Sequence, residues 1–203
     1  SAVIIGYDHR FGRNREGSFE SLQNLGDVFG FSVESLPAQT VENTRVSSTK
    51  VRSAIETGQV RQARQWLLSP YPLSGRVVEG NQIGRTMGFP TANIEVEDPN
   101  KLIPGKGVYA AFAQYDGETA WLQAMVNIGT RPTLDALIEE QRVEVHLLEG
   151  GRTCYEETLH VRFIQRLRDE HPFANLEELK AQLHQDAAAA VLCLNQASNS
   201  IAP

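Results

Sequence analysis

Ten residues, GRTMGFPTAN at positions 84–93, crowd two glycines, an arginine, a proline, a threonine and an asparagine into one short segment. Gly84 and Gly88 permit backbone angles closed to other residues and let a ligand approach the main chain. Pro90 sets one dihedral just ahead of two oxygen-bearing side chains, Thr91 and Asn93. Such a turn can lift those oxygens off a strand end while offering backbone N–H groups and the Arg85 guanidinium to an anion. The same residue types also make an ordinary turn between strands, and composition alone leaves both readings open.

Two other stretches carry chemistry of their own. In QRVEVHLL, period-two alternation sends Val143, Val145 and Leu147 to one face and Glu144, His146 and Leu148 to the other. A carboxylate in mid-strand between valines is unfavourable unless it faces solvent or has a partner. Glu144 is therefore either part of a solvated Glu/His face or a general base acting on a hydroxyl. At VSSTKVR, a helix start offers free N–H groups, the hydroxyls of Ser47, Ser48 and Thr49, and the cations Lys50 and Arg52. That is a phosphate site or an ordinary capped helix. His9, His146, His160, His171 and His184 are too scattered for a metal cluster and read as surface or core histidines.

The elements that must position these residues fall into two textures. AVIIGYD reads as a buried strand, Phe19 to Phe29 as a helix and FSVESL as a second strand. A helix capped at 47–49 ends at Gly58, and VRQARQWLL forms another before the Pro-rich SPYP. Beyond it come six short β-prone runs: SGRVVEG, FPTANIEV, GVYAAFAQY, AWLQAMVNIG, QRVEVHLL and TLHVRFI. Strands so spaced predict a small antiparallel barrel or sandwich. In NLEELKAQLHQDAAAAVLCL, Asn175 and Glu178 form a capping-box pattern, and Leu176, Leu179 and Leu183 share the face of a helix expected to lie across the barrel. The closing NQASNSIAP is expected to be a disordered tail. This gives a boundary at 68/69, a second domain over 69–190, and a helix end and tail over 191–203.

Composition narrows the function. With 41% hydrophobic and 22% charged residues over 203 positions, the chain has ordinary globular usage and enough length to bury a core. No apolar run reaches bilayer-spanning length and the first residues lack the pattern of a signal peptide, so no membrane association and a cytoplasmic location are expected. Cys154 and Cys193 stand alone, without metal-ligand spacing. A net charge of −6 and the lack of a basic stripe argue against nucleic acid and leave room for a small anionic ligand.

Taken together, GRTMGFPTAN with its lead-in SGRVVEGNQIG, followed in order by PGKGVYA, NIGTRPT, VEVHLL and LRDEHPFANLEEL, resembles the bifunctional prokaryotic riboflavin kinase/FMN adenylyltransferase family, often called FAD synthetase. GYDHRFGRNREG and VSSTKVRSAIETG resemble the later part of its adenylyltransferase domain, while its HxGH-type ATP motif does not occur in the chain. Two departures stand out: LLSPY is shorter than the usual version, and LLEGGRTCYEE lacks the usual acidic-aromatic pattern.

The resemblance implies a six-stranded antiparallel Greek-key barrel with a C-terminal helix, preceded by a partial α/β nucleotidyltransferase domain truncated at its N-terminus. It implies that Thr91 and Asn93 hold Mg2+ and the ATP phosphates, with Gly84, Arg85 and Gly88 looped over them. Glu144 is the implied catalytic base toward the 5′-hydroxyl of riboflavin. Asn127, Arg168 and Phe173 are implied flavin-binding residues, and Asp8, Arg10, Ser47, Ser48, Thr49 and Arg52 a remnant of the adenylyltransferase site. The expected function is ATP-dependent phosphorylation of riboflavin to FMN, with adenylylation of FMN to FAD lost from this chain. A non-catalytic flavin-binding barrel is the alternative, and has no need for a base beside a metal-phosphate pair. A nucleic-acid-binding barrel fits the charge least.

Overall fold

A computed structural model of the chain describes residues 1–6, 8–37, 40–41, 44–80, 84, 87–132, 139–150 and 154–198. The chain divides into two compact units, the first Ser1–Ser47 and the second starting at Ser48. In the first, β1 (Ala2–Gly6) and β2 (Ser32–Leu36) pair in parallel, joined through α1 (Phe19–Phe29). Ser18 caps α1: its Oγ accepts from the Ser21 N–H while the Ser21 hydroxyl accepts from the Ser18 N–H. Gly30 stops the helix at φ 72°, a left-handed angle that favours glycine. β3 (Thr40–Val41) and β4 (Thr44–Arg45) form a small antiparallel pair. The strand expected to be buried is only half covered, with Ile4 59% exposed, because a two-stranded sheet carrying one helix leaves apolar surface open.

The second unit opens with α2 (Ser48–Glu56) and α3 (Val60–Leu67). Gly58, at φ 76°, turns the chain between them where a side chain would also meet the Tyr109 hydroxyl. Ala54, Ile55, Val60 and Ala63 are buried in the same core cluster as the barrel residues Tyr109, Ala111 and Phe163. That packing places the division of compact units at 47/48, whereas the texture of the sequence changes at 68/69.

Six antiparallel strands close into a barrel: β5 (Tyr71–Val78), β6 (Ala92–Glu95), β7 (Gly107–Tyr115), β8 (Leu122–Pro132), β9 (Glu139–Leu147) and β10 (Thr158–Arg168). Their order is β10-β5-β6-β9-β8-β7, the Greek-key pattern expected, and closure leaves no sheet edge exposed. The barrel interior is apolar, with Leu73, Val77, Val126, Ile128, Val143, Val145, Leu159 and Val161 at 1% exposure or less.

α4 (Leu176–Ser198) lies on the outside of the barrel against β7, β8 and β10. Asn175 Oδ1 accepts from the Glu178 N–H at 2.9 Å, and Glu178 reaches back to the Ala174 N–H at 3.3 Å, one residue beyond the box expected. Ala190, Leu194 and Ala197 pack with Ala110 and Ile164 of the outer barrel face, so the alanine run lets helix and sheet approach closely. Each fully buried leucine of this kind contributes about 2 kcal/mol. Two expectations are corrected: Leu176 is 64% exposed, because the buried stripe begins a turn later, and residues 195–198 continue the helix, because Ala197 belongs to that stripe. Residues 199–203 lie outside the described set.

Candidate active site

Strand register gathers the predicted residues into one row. Val78 pairs with Asn93, Asn93 with Glu144, Glu144 with Asn127, Asn127 with Val108, and Val108 with Arg168. Directly paired residues share a face of the sheet, with Cβ atoms about 5 Å apart. Since Val143 and Val145 fill the interior, this row faces outward, toward α4. Register shifts between Phe163 and Gln165 and between Arg166 and Arg168 bring Arg168 into the row, a use of bulges to re-aim a side chain.

Between this face and α4 lies a cavity of about 330 Å³. Its polar wall contains Thr91, Asn93, Asn127, Glu144 and Arg168, and its apolar wall Val108, Met125, Leu179 and Leu183. Gly84 and Phe173 also line it. A solvated Glu/His face does not hold for His146, which is 8% exposed, with its Nδ1 2.8 Å from the Pro90 carbonyl and its ring 5.0 Å from that of Phe89; Glu144 is half-buried, with 30% of its side chain exposed. The loop and α4 cover what would otherwise be an exposed strand face.

The loop earns its glycines. The amides of Met87 and Phe89 both donate to the Gly84 carbonyl, at 3.1 and 2.8 Å. A side chain at Gly84 would collide with the Phe89 carbonyl, and Gly88 adopts φ 83°. Arg85 lies outside the described residues.

Two features give the row its chemistry. The Asn93 Oδ1 is buried without a hydrogen-bond partner among the described residues, a costly state for an amide oxygen unless a ligand completes it. Beside it, burial holds the Glu144 carboxyl above the ordinary carboxylate range; Arg142, 3.6 Å away, pulls it down and Glu170 pushes it up. An ion pair at that distance leaves the carboxylate oxygens open to a substrate proton.

Arg168 has a partner on α4 that the sequence did not point to. Its guanidinium makes a bidentate pair with Asp186 of α4, Nη2 to Oδ2 being 2.8 Å, and lies 5.6 Å from the Phe173 ring centre. Asp186, Arg142, His146, Glu170 and His171 were not singled out as site residues from sequence. Arg142 and His146 share the outward parity of Glu144, the one signal that could have found them. A separate chain, Ser74 Oγ to His160 Nδ1 at 2.8 Å and His160 Nε2 to Asp116 at 3.3 Å, resembles a nucleophile triad. It sits on an exposed β5–β10 rung away from the cavity and serves strand pairing.

Of the residues expected near an adenylyltransferase site, Asp8, Arg10 and Ser47 belong to the first unit, and Ser48, Thr49 and Arg52 to the first turns of α2. None of these α2 residues lines the cavity.

A closed Greek-key barrel with a buried acceptor and a half-buried carboxylate on one outer rung frames a candidate site in a cavity large enough for a small molecule. Residues 67–194 match the family model for riboflavin kinase (flavokinase), and residues 1–50 match that for FAD synthetase. The chain belongs to the riboflavin kinase family. The bifunctional riboflavin kinase/FMN adenylyltransferase of Escherichia coli (strain K12) is 41% identical over 188 residues, covering 93% of this chain and 58% of that protein. The protein of the same name from Haemophilus influenzae is 37% identical over 194 residues, covering 95% and 61%. A crystal structure named as a macrolide-efflux protein from Streptococcus pneumoniae aligns with TM-score 0.81 and 34% identity, over 92% of this chain and 59% of that one. The chain therefore spans about three-fifths of the length of these relatives. Among the described residues no helix is long and apolar enough to cross a membrane.

Proposed function

We propose that this chain is a riboflavin kinase that transfers the γ-phosphoryl group of ATP to the ribityl 5′-hydroxyl of riboflavin, giving FMN and ADP. The observation that carries the reading is the Asn93–Glu144 rung: an unpartnered buried acceptor directly beside a desolvated carboxylate. Glu144 takes the hydroxyl proton as that oxygen bonds to the γ-phosphorus. The bond from the γ-phosphorus to the β,γ-bridging oxygen breaks, and ADP leaves with its electron pair. Little covalent work falls to the protein, so alignment and charge neutralisation dominate.

Asn93 Oδ1 and the Thr91 hydroxyl would hold Mg2+, which when bound neutralises phosphate charge and aligns the transferred group. The donor set fits that ion. Both ligands are hard neutral oxygens, and among the described residues no group of three or more His, Cys, Asp or Glu side chains forms an all-protein cage. Mg2+ keeps water and phosphate ligands in just such partial sites. Gly84 and Gly88 shape the loop over the phosphates. Val108, Met125 and Leu183 suit the flat flavin ring, with Asn127, Arg168 and Phe173 around it. A cytoplasmic location suits an enzyme that draws on free ATP and riboflavin.

Incubation of the 203-residue chain with riboflavin and MgATP, followed by separation of the flavins, tests the reading. FMN without FAD is expected, since the chain contains no HxGH-type motif. FAD forming as fast as FMN would overturn the expected loss of adenylylation from this chain, and absence of product together with riboflavin binding would favour a flavin-binding barrel.

A further inference from the structure

Among the described residues, the buried polar side chains are Asn93, His146 and Asp186, and Asp186 is the most buried of them at 3% exposure. A carboxylate in that position needs a full set of partners. Arg168 Nε donates to both carboxylate oxygens at 3.0 Å and Nη2 to one at 2.8 Å, while Gln182, one turn earlier on α4, donates to the other at 2.8 Å. The remaining edge of the guanidinium turns toward the segment after β10. Arg168 Nη1 donates to the Asp169 carbonyl at 2.8 Å and approaches His171 Nδ1 at 3.3 Å. Glu170, His171 and Phe173 of that segment line the cavity.

We propose that Asp186 is a positioning residue: it fixes the Arg168 guanidinium, and through it the 169–173 segment that closes one side of the cavity. The proposal rests on the kinase reading for its catalytic consequence. Attachment of α4 does not need the pair, because Ala190, Leu194 and Ala197 already bury an apolar stripe against the barrel. Buried ion pairs give little net stability over apolar pairs of similar shape, whereas the planar guanidinium fork fixes direction as well as distance. Asp186 therefore acts on the aim of Arg168 and on the order of residues 169–173. Substrate contact stays with Arg168.

The test compares Asp186→Asn with the double variant Arg168→Met/Asp186→Leu, which replaces the ion pair by an apolar one. Riboflavin affinity by fluorescence titration, KM for each substrate, thermal melts and amide exchange over residues 169–173 are measured in parallel. Asp186→Asn is expected to weaken riboflavin binding and raise its KM on the order of tenfold, the scale typical of lost supporting contacts. KM for MgATP should change less, and the 169–173 amides should exchange faster. If the single variant does not fold, the double variant decides: a parental melt with faster amide exchange over residues 169–173 supports the proposal. Parental riboflavin affinity in the double variant, failure of that variant to fold, or unchanged exchange over 169–173 in Asp186→Asn would each overturn it. Should the parent chain make no FMN, the kinase reading fails, while exchange still reports on the positioning role.

Discussion

Asn93 on β6 and Glu144 on β9 are direct cross-strand partners, so the hydrogen-bonded barrel sets the spacing between an amide oxygen unpartnered among the described residues and a partly desolvated carboxylate. Neither group is comfortable alone. An orphaned amide oxygen costs about 1–3 kcal/mol and a half-buried carboxylate is partly stripped of water, so both are expected to be bound to something during turnover. Asn93→Ala should therefore abolish turnover and weaken MgADP binding without lowering the thermal melt, since it deletes the unsatisfied oxygen. Thr91→Ala should weaken MgADP in the same way. Calorimetry with MgADP and, separately, with riboflavin checks this; unchanged MgADP affinity in both variants would reduce the segment to a turn.

Gly80 gives a second handle on Asn93. A Cβ built on Gly80 would overlap the Asn93 side-chain amide, the movable end of a short side chain. Gly80→Ala should consequently rotate Asn93 out of place at little cost to the fold. Turnover is expected to fall at least tenfold, in keeping with the sensitivity of phosphoryl transfer to alignment, while the melt stays within a few degrees of the parent. Equal losses of activity and stability would point to a general packing role for this position.

Much of this site could be read from residue order, and the reason is periodicity. Alternation in QRVEVHLL put Glu144 opposite Val143 and Val145, and six β-prone runs with turn residues between them implied a barrel or a sandwich, of which the family resemblance selected the barrel. What alternation cannot supply is register. The single row joining Asn93, Glu144, Asn127 and Arg168 depends on pairings made across strands distant in sequence, and on bulges in β10 that break its parity. Covering of the Glu144 face by α4 is a tertiary fact, which is why His146 read as scattered and Asp186 as part of an ordinary helix. The compact unit begins at Ser48 for a similar reason, since α2 and α3 contribute Ile55 and Val60 to the barrel core.

Burial of Glu144 also has a pH signature. Its carboxyl titrates above the ordinary range in the fold, so the native state holds the proton more tightly than the unfolded chain. That contribution to stability is fully present below the ordinary carboxylate pKa and is lost as pH rises through the raised folded value. At about pH 7 the ionised carboxylate thus weighs against folding, and Glu144→Gln, which removes the charge, should melt higher than the parent. The gap should shrink toward zero as pH falls to about 4, where both side chains are neutral. Melts across this range decide the matter: a gap that is negative or independent of pH would mean Glu144 is well solvated.

The same substitution separates catalysis from binding. Glu144→Gln keeps the shape of the side chain, so β9 should hold its register with β6 and β8 and the cavity should still accept riboflavin and MgATP. A general base contributes about two to four orders of magnitude, and its loss should appear in kcat with both KM values close to the parent, the pattern of an interaction made in the transition state. The parent should show an acid limb in its rate, because protonated Glu144 cannot accept the hydroxyl proton, and that limb should lie above the ordinary carboxylate range for the reason that raises its pKa. In Glu144→Gln the limb should vanish along with the rate. A variant that keeps turnover within a few-fold of the parent, or keeps the acid limb, would move the proton to another acceptor, with Glu170, across the cavity wall, the first to examine.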